Sequence, residues 1–565
     1  MAVNVFLYRM TNNKTMRLKS ITAGLCLALA SVSAYGQTPD VPRPVAKAMN
    51  KVKPADISAH IAYLADDKLL GRKPGTPGYQ MAVDYVTARF KELNVQPAGE
   101  NGTYLQTVRV RTATTVPGAS LQLTADTAGT EDLVYGKDFI LFPNAVEKQV
   151  AVDAPLVFAG FGISAPDLNY DDYATIDAKG KVVVILRSTP ASFPSTVASF
   201  SMDMQTILNT AAANGAVGVL LGSLNPNGGL PDFSTRGMSN VMGADGTVAA
   251  SRSHHEDVKL MGMLHYNTLQ KLITGAGLDL QQVAGTIKSG KPASAILPFR
   301  IKGSFSNRFE DIESYNVIGK IEGSDPVLKN EYVVHSAHLD HTGVGKPIDG
   351  DSIYNGAHDN ASGVASLLEI AKVYHNVKKK PKRSILIVMV TAEEMGLLGS
   401  AYFAKFPTVP ASQLVANVNT DMPTLIAPLL SVVPLGAAHS SLQEEVQQAS
   451  KYLGLDVEED PEPEQNRFVR SDQYSFVVQG VPALHIKYGN KTADGKNNLD
   501  ETVKVWRDKY YHKPQDNFEG GVFDFDAARK YVQLNFLIGY LVAQEEQRPT
   551  WNEGDFFGNR FGNME

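Results

Sequence analysis

Tyr332-Val-Val-His-Ser-Ala-His-Leu-Asp340 and Asn355-Gly-Ala-His-Asp-Asn-Ala-Ser-Gly363 are the two stretches on which the fold turns. The first is a compact apolar run, Tyr332–Ala337, that ends on His338 and Asp340. A short run of this kind predicts a buried strand. The second leads into Ala361–His375, where Val364, Leu367, Leu368, Ala371 and Tyr374 share one helical face. Working outward, Ile385–Val390, Val415–Asn419 and Pro482–Lys487 read as further buried strands. Ser441–Leu453 and Asp526–Gln544 carry helical spacing. Strands alternating with helices predict an α/β fold, a mixed central sheet covered by helices on both faces.

Toward the N-terminus, Ala55–Ala65 and Gly78–Leu93 have helical spacing, separated by the turn-rich Gly71-Arg-Lys-Pro-Gly-Thr-Pro-Gly78. From about Leu133 to Pro298 the texture changes to short β-branched runs between Gly, Pro and Asp turns. Ala154–Phe158, Lys181–Arg187 and Val217–Leu221 are examples, with a helix at Met202–Asn214. The expected division is 1–36 leader, 37–54 linker, 55–132 first part of the α/β domain, 133–298 β-rich insert, 299–546 remainder of the α/β domain, and 547–565 a surface or disordered tail. Gly160-Phe-Gly-Ile-Ser-Ala165 imitates a dinucleotide loop, but Pro166 leaves no helix N-terminus to receive a phosphate, so it reads as a turn. The run Lys378–Arg383 reads as a solvated helix end.

The 565 residues are 43% hydrophobic and 20% charged, an ordinary globular balance. With 53 Lys plus Arg against 59 Asp plus Glu the net charge is −6, which gives no reason to expect nucleic acid or an anionic membrane as partner. Met16-Arg-Leu-Lys19 followed by Ile21–Ala34 reads as a secretory signal, with Ala34-Tyr35-Gly36 placing cleavage before Gln37. Residues 1–36 hold Cys26, the one cysteine, together with Arg9, Lys14, Arg17 and Lys19 and no acid. The mature chain is therefore expected to carry 49 basic against 59 acidic residues, to lack thiol and disulfide chemistry, and to be periplasmic or secreted without a membrane anchor.

Five places in the second half put hard or borderline metal ligands into loops, most just after a strand. They are His338 with Asp340, Asp359 at a helix start, Glu393-Glu394, Asp421, and His512 within Tyr510-Tyr-His-Lys-Pro-Gln-Asp516. Carboxyl ends of strands in an open α/β sheet converge on one crevice. Two His and three carboxylates gathered there suit a pair of Zn²⁺ ions with one carboxylate shared between them.

These residues resemble the dizinc exopeptidases, the superfamily of bacterial aminopeptidases, glutamate carboxypeptidase and the transferrin receptor. The resemblance rests on Ala337-His-Leu-Asp340, Gly356-Ala-His-Asp-Asn-Ala-Ser-Gly363, Thr391-Ala-Glu-Glu-Met-Gly-Leu-Leu-Gly-Ser400, Asn419-Thr-Asp-Met422 and Tyr511-His512. It implies the zinc exopeptidase fold, with Pro155–Leu186 similar to part of an inserted protease-associated domain. It further implies His338, Asp359, Glu394, Asp421 and His512 as ligands of two Zn²⁺. Asp359 bridges, His338 and Asp421 complete one site, and Glu394 and His512 complete the other. By the same resemblance Glu393 is the base, Asp340 orients His338, Tyr511 donates to the developing oxyanion, and a cis peptide falls at Asp359–Asn360. His358 departs from the family pattern, as does Gln473.

The function expected on this footing is a secreted aminopeptidase that cleaves peptides with a water shared by the two metals. Two alternatives remain at this stage. A carboxypeptidase would need cations for a terminal carboxylate, for which Arg467, Arg470 and Arg507 are candidates. A receptor-like binding protein would have no need of the ligand set.

Overall fold

The computed structural model describes residues 41–125, 129–233, 237–423, 425–465 and 467–562. The segment read as a secretory signal, Cys26 included, lies outside them. No described helix is long and apolar enough to cross a membrane.

The central sheet is built on four parallel strands, Ser384–Val390, Tyr332–His338, Leu414–Asn419 and Ala483–Tyr488, adjacent in that order. The first three are buried along their whole length, which is why they read as unbroken apolar runs. Antiparallel strands close both flanks. Ser431–Leu435 pairs with Ala483–Tyr488 on one side, and the second half of Ala295–Ile321 pairs with Ser384–Val390 on the other. Helices Ser362–Asn376 and Phe525–Gln544 pack on the sheet with long runs of buried side chains. The predicted α/β architecture is the observed one, with element ends shifted by about a residue.

A second sheet holds Gly129–Leu133, Ser120–Ala125, the first half of Ala295–Ile321, Gln149–Phe158, Val182–Leu186, Gly218–Gly222, Leu260–Leu264 and Phe139–Leu141, in that order across it. It has its own core, including Phe139, Phe158, Leu220, Leu260 and Leu272. Its strands begin at Ser120, ahead of the expected boundary at 133, and its pairing runs to Ser306, past the expected 298. Two features tie the sheets together. Ala295–Ile321 is one strand, paired to Val150 and Gln149 through Ser306 and to Thr115 from Asn307 onward. The hairpin Met238–Met242/Val248–Ala250 returns to the central sheet and pairs with Leu105–Thr115.

Three local expectations are corrected. The stretch read as a linker contains a helix, Arg43–Met49, with Val45 and Met49 buried. The tail contains the helix Phe556–Phe561, whose Phe557 is fully buried against Phe468 and Tyr474. Arg383 is not solvated: it is buried, pairs with Glu331 at 2.7 Å, and donates to Val542 O and Glu546 O. The Gly160–Ala165 segment is the predicted turn, wrapped around buried Asp172. That carboxylate accepts from Phe161 N, Ile163 N and the Tyr170 hydroxyl, and a Cβ at Gly160 would lie 2.1 Å from it.

Candidate metal centre

The parallel strands deliver the candidate ligands to one edge of the sheet. His338 ends its strand, Asp421 follows Asn419, and Glu393-Glu394 follow Val390. Asp359 lies in the turn before helix Ser362–Asn376, and His512 follows helix Leu499–Tyr510. The side chains meet. His338 Nε2 lies 3.2 Å from Asp359 Oδ1 and 3.4 Å from Asp421 Oδ1. His512 Nε2 lies 3.2 Å from Asp359 Oδ2 and 3.4 Å from Glu394 Oε2. Asp359 thus turns one oxygen to each histidine.

The sequence reading missed His341. Its Nδ1 lies 2.7 Å from Glu394 Oε1, and His341, Asp359 and Glu394 form a cluster matching His338, Asp359 and Asp421 on the other side. Neither His341 Nδ1 nor Glu394 Oε1 has a hydrogen-bond partner in proper geometry. Two buried lone-pair atoms aimed at the same space are what a cation there would satisfy, and a donor set of imidazoles and carboxylates suits zinc. The signal was present in His338-Leu-Asp-His341, but the carried-over ligand pattern had no place for a third histidine.

The surrounding residues fix this geometry. The peptide Asp359–Asn360 is cis, as the resemblance implied. Asn360 Oδ1 accepts from Gly363 N and Met422 N, and its amide donates to Thr420 O, tying the Asp359 turn to the Asp421 loop. Gly356 has φ +59, and a Cβ there would lie 2.0 Å from Asp359 O, so only glycine fits. Ser471 donates to Asp421 Oδ2, while His485 and Lys487 both donate to the Asp421 carbonyl at 2.8 Å. Asp340 acts through two atoms. Its carbonyl takes His338 Nδ1 at 3.2 Å, while its carboxylate, 3.9 Å from that nitrogen, accepts from Glu393 N and Glu394 N instead. His338 is therefore oriented by Asp340's main chain, and the carboxylate sets the loop of the two glutamates.

Three more residues escaped the sequence reading. Asp516, inside the quoted Tyr510–Asp516 segment but unassigned, accepts from His358 N and Asp359 N. Asp472 is buried beside Ser400, and burial pushes its carboxyl up to about 7. Arg72, in the stretch taken for a plain turn, is 1% exposed. Its guanidinium donates to Leu64 O (2.6 Å), Leu339 O (2.9 Å), Asn355 O (2.5 Å) and Gly356 O (3.1 Å). It thereby clasps the loops that carry His338–His341 and Asp359 without pairing to a carboxylate.

The electrostatics follow from this packing. Burial pushes Glu393 well above the ordinary glutamate range, with Glu394, Asp421 and Asp472 adding to the rise. Burial also opposes ionisation of Asp359 and Asp421. There the His338 contacts outweigh it, helped by His512 at Asp359 and Lys487 at Asp421, and both carboxyls stay below their usual range. Burial, with Glu394 adding to it, lifts Asp340 to about 6, and burial with Asp359 beside it lifts Asp516 to about 6. A protonatable carboxyl among ionised ones is the pattern of a proton-transfer site.

His358 faces away from this cluster. Its ring stacks on Phe523 at 4.2 Å and meets Trp506 edge-on, Nε2 lies 3.1 Å from Val522 O, and burial lowers it to about 4, so it is a neutral packing residue. Gln473 bridges Asn419 and Phe468 O. Tyr511 lines the cleft with its ring between Arg507, at 4.1 Å, and His512. Of the candidate cations Arg470 lines the cleft, whereas Arg467 is paired with Asp460 and Glu462.

The site is thus a mixed α/β sheet presenting imidazoles and carboxylates at its strand ends, with a buried protonatable glutamate beside them, a donor set able to hold metal ions. Residues 316–533 match the model of peptidase family M28. Among curated relatives, Aminopeptidase NAALADL1 of Mus musculus is 37% identical over 127 residues, 22% of this chain and 15% of that protein. A probable leucine aminopeptidase 2 of Aspergillus oryzae is 24% identical over 254 residues, 43% of this chain and 47% of the relative. The chain thus spans less than half of the length of either relative. Among solved structures, an aminopeptidase from Aneurinibacillus sp. strain AM-1 aligns over 88% of this chain and 95% of its own, at 18% identity and a TM-score of 0.48.

Proposed function

We propose that the protein is an exported aminopeptidase that uses two zinc ions to release N-terminal residues from peptides. The observation that carries this reading is the shared carboxylate: Asp359 faces His338 and Asp421 with one oxygen, and His512 and Glu394 with the other. His338, Asp359 and Asp421 would hold one ion; Asp359, Glu394 and His512, with His341 beside them, would hold the second. Bound there, zinc supplies Lewis acidity toward the scissile carbonyl and makes a water acidic enough to attack near neutral pH. Glu393, lining the same cleft, takes the proton of that water and returns it to the departing amine, a role its raised carboxyl suits. Tyr511, also lining the cleft, donates to the oxygen on which negative charge develops. The second sheet, read as a protease-associated domain, walls the cleft through Arg187, Ser199 and Met202.

The test is to purify the mature chain, count zinc, and assay aminoacyl-nitroanilides beside N-blocked peptides. About two zincs per chain with cleavage of free N-termini alone supports the proposal. Cleavage of blocked peptides from the carboxyl end would replace it with a carboxypeptidase, and absence of both metal and turnover would leave a binding protein.

A further inference from the structure

The cleft that holds the candidate ligands has a volume of about 470 Å³, within the range that encloses one small organic ligand. Beside it lies a larger cavity of about 1110 Å³ between the second sheet's helices and the peptidase domain. Asp203 and Arg252 line both. Asp203 caps helix Met204–Ala213, and Arg252 follows the hairpin that returns to the central sheet. Their ion pair is the partition between the two spaces.

That partition is poorly anchored. One Arg252 nitrogen bonds Asp203 and reaches Val469 O at 3.4 Å, and the guanidinium lies over the Tyr474 ring at 5.2 Å. Nε and Nη1 are buried without a hydrogen-bond partner among the described residues. Buried donors left unpaired are destabilising, and a turn toward an incoming oxygen acceptor would satisfy them. Beyond it the larger cavity is walled by apolar Phe200, Ala401 and Val478, with Lys405 and Arg560 as further cations against the acids Asp203 and Glu256. Main-chain carbonyls and a terminal carboxylate are the acceptors that a peptide offers on the carboxyl side of the bond being cut.

We infer that the larger cavity is the subsite for the carboxyl-side tail of a peptide substrate, and that Arg252 binds the tail's carbonyl or carboxylate oxygens as it passes. This rests on the aminopeptidase reading and adds a dependence on chain length. A dipeptide fills the metal cleft alone, whereas longer peptides gain the second space.

The experiment measures kcat/KM on peptides of about two to six residues sharing one N-terminal residue, with C-terminally amidated copies of the longest. For the native chain kcat/KM rises about tenfold or more with length, mainly through KM. Ala401→Trp, and Gln479→Trp from another part of the lining, abolish the rise by filling the cavity while dipeptide cleavage is unchanged. Arg252→Ala lowers kcat/KM for long peptides about tenfold more than it does for dipeptides. Amidation removes the Arg252 effect where it binds the terminal carboxylate and keeps it where it binds main-chain carbonyls. A flat length profile, or a rise that survives both Trp variants, overturns the subsite while leaving the aminopeptidase intact. Failure to cleave any peptide, dipeptides included, refutes the proposed function itself.

Discussion

Replacing Arg72 by Met keeps the bulk of the side chain and removes all its donors. Four buried carbonyls, from Leu64, Leu339, Asn355 and Gly356, lose their partner. The nearby carboxylates of Asp340, Asp516, Asp359 and Glu394 lose the cation they face. An unpaired buried acceptor costs about 1–3 kcal/mol, and removal of one member of a buried charge cluster typically about 3–5 kcal/mol in total. Some relaxation of the loops brings the expected loss to about 4 kcal/mol, or roughly 3–4 °C in Tm for a chain of this size. The same loops carry candidate ligands, so zinc affinity should fall about 10- to 100-fold, as when a group that orients ligands is removed. Arg72→Lys keeps the charge but not the fork, and should fall between the two. Calorimetry of the metal-free protein and zinc competition against a chelator give the two numbers separately. A Tm loss with unchanged zinc affinity would refute the positioning argument; an Arg72→Met protein as stable as the native one would refute the energetic argument too.

Three further outcomes are expected. Glu393→Gln should keep its zinc by elemental analysis while kcat drops about 10²–10⁴-fold, and near-normal turnover would remove Glu393 from proton transfer. Asp359→Asn should lose both ions, whereas His512→Ala should lose chiefly the one held with Glu394; equal zinc in the two variants would argue against the shared carboxylate. In the second sheet, burial raises the Asp172 carboxyl to about 6. A raised carboxyl favours the folded state while protonated, so its contribution is present below about pH 4 and is lost as pH climbs to about 6, a change near 3 kcal/mol. Asp172→Asn cannot titrate, so its urea midpoint should gain on the native one across that interval; midpoints moving in parallel would refute the assignment.

Strand ends were the legible part of this sequence. Tyr332–His338 and Ser384–Val390 are buried on both faces, so their apolar runs stand out, and the polar residue that ends each run marks where the sheet opens to a ligand. Arg72 was illegible for the opposite reason. Its partners lie 267, 283 and 284 residues away at Leu339, Asn355 and Gly356, and all are main-chain oxygens that leave no trace in residue identity. The tail misled because Phe557 buries itself against Phe468 and Tyr474 from a six-residue helix, too short for periodicity to register. Arg383 misled because its acceptors, at Val542 and Glu546, belong to the end of another helix and the turn beyond it.

The uninterrupted strand Ala295–Ile321 changes how access to the cleft should be pictured. A hinge needs a residue free to rotate its backbone, yet the partners pass from Val150 at Phe305 to Gln149 at Ser306 and Thr115 at Asn307 without a gap. The two sheets therefore share a rail: bending it would break ladder hydrogen bonds on both sides at once. The mouth of the cleft has its width set by backbone, like a fixed door frame. What moves in that frame is the length of a side chain, and traffic through it is a matter of rotamers.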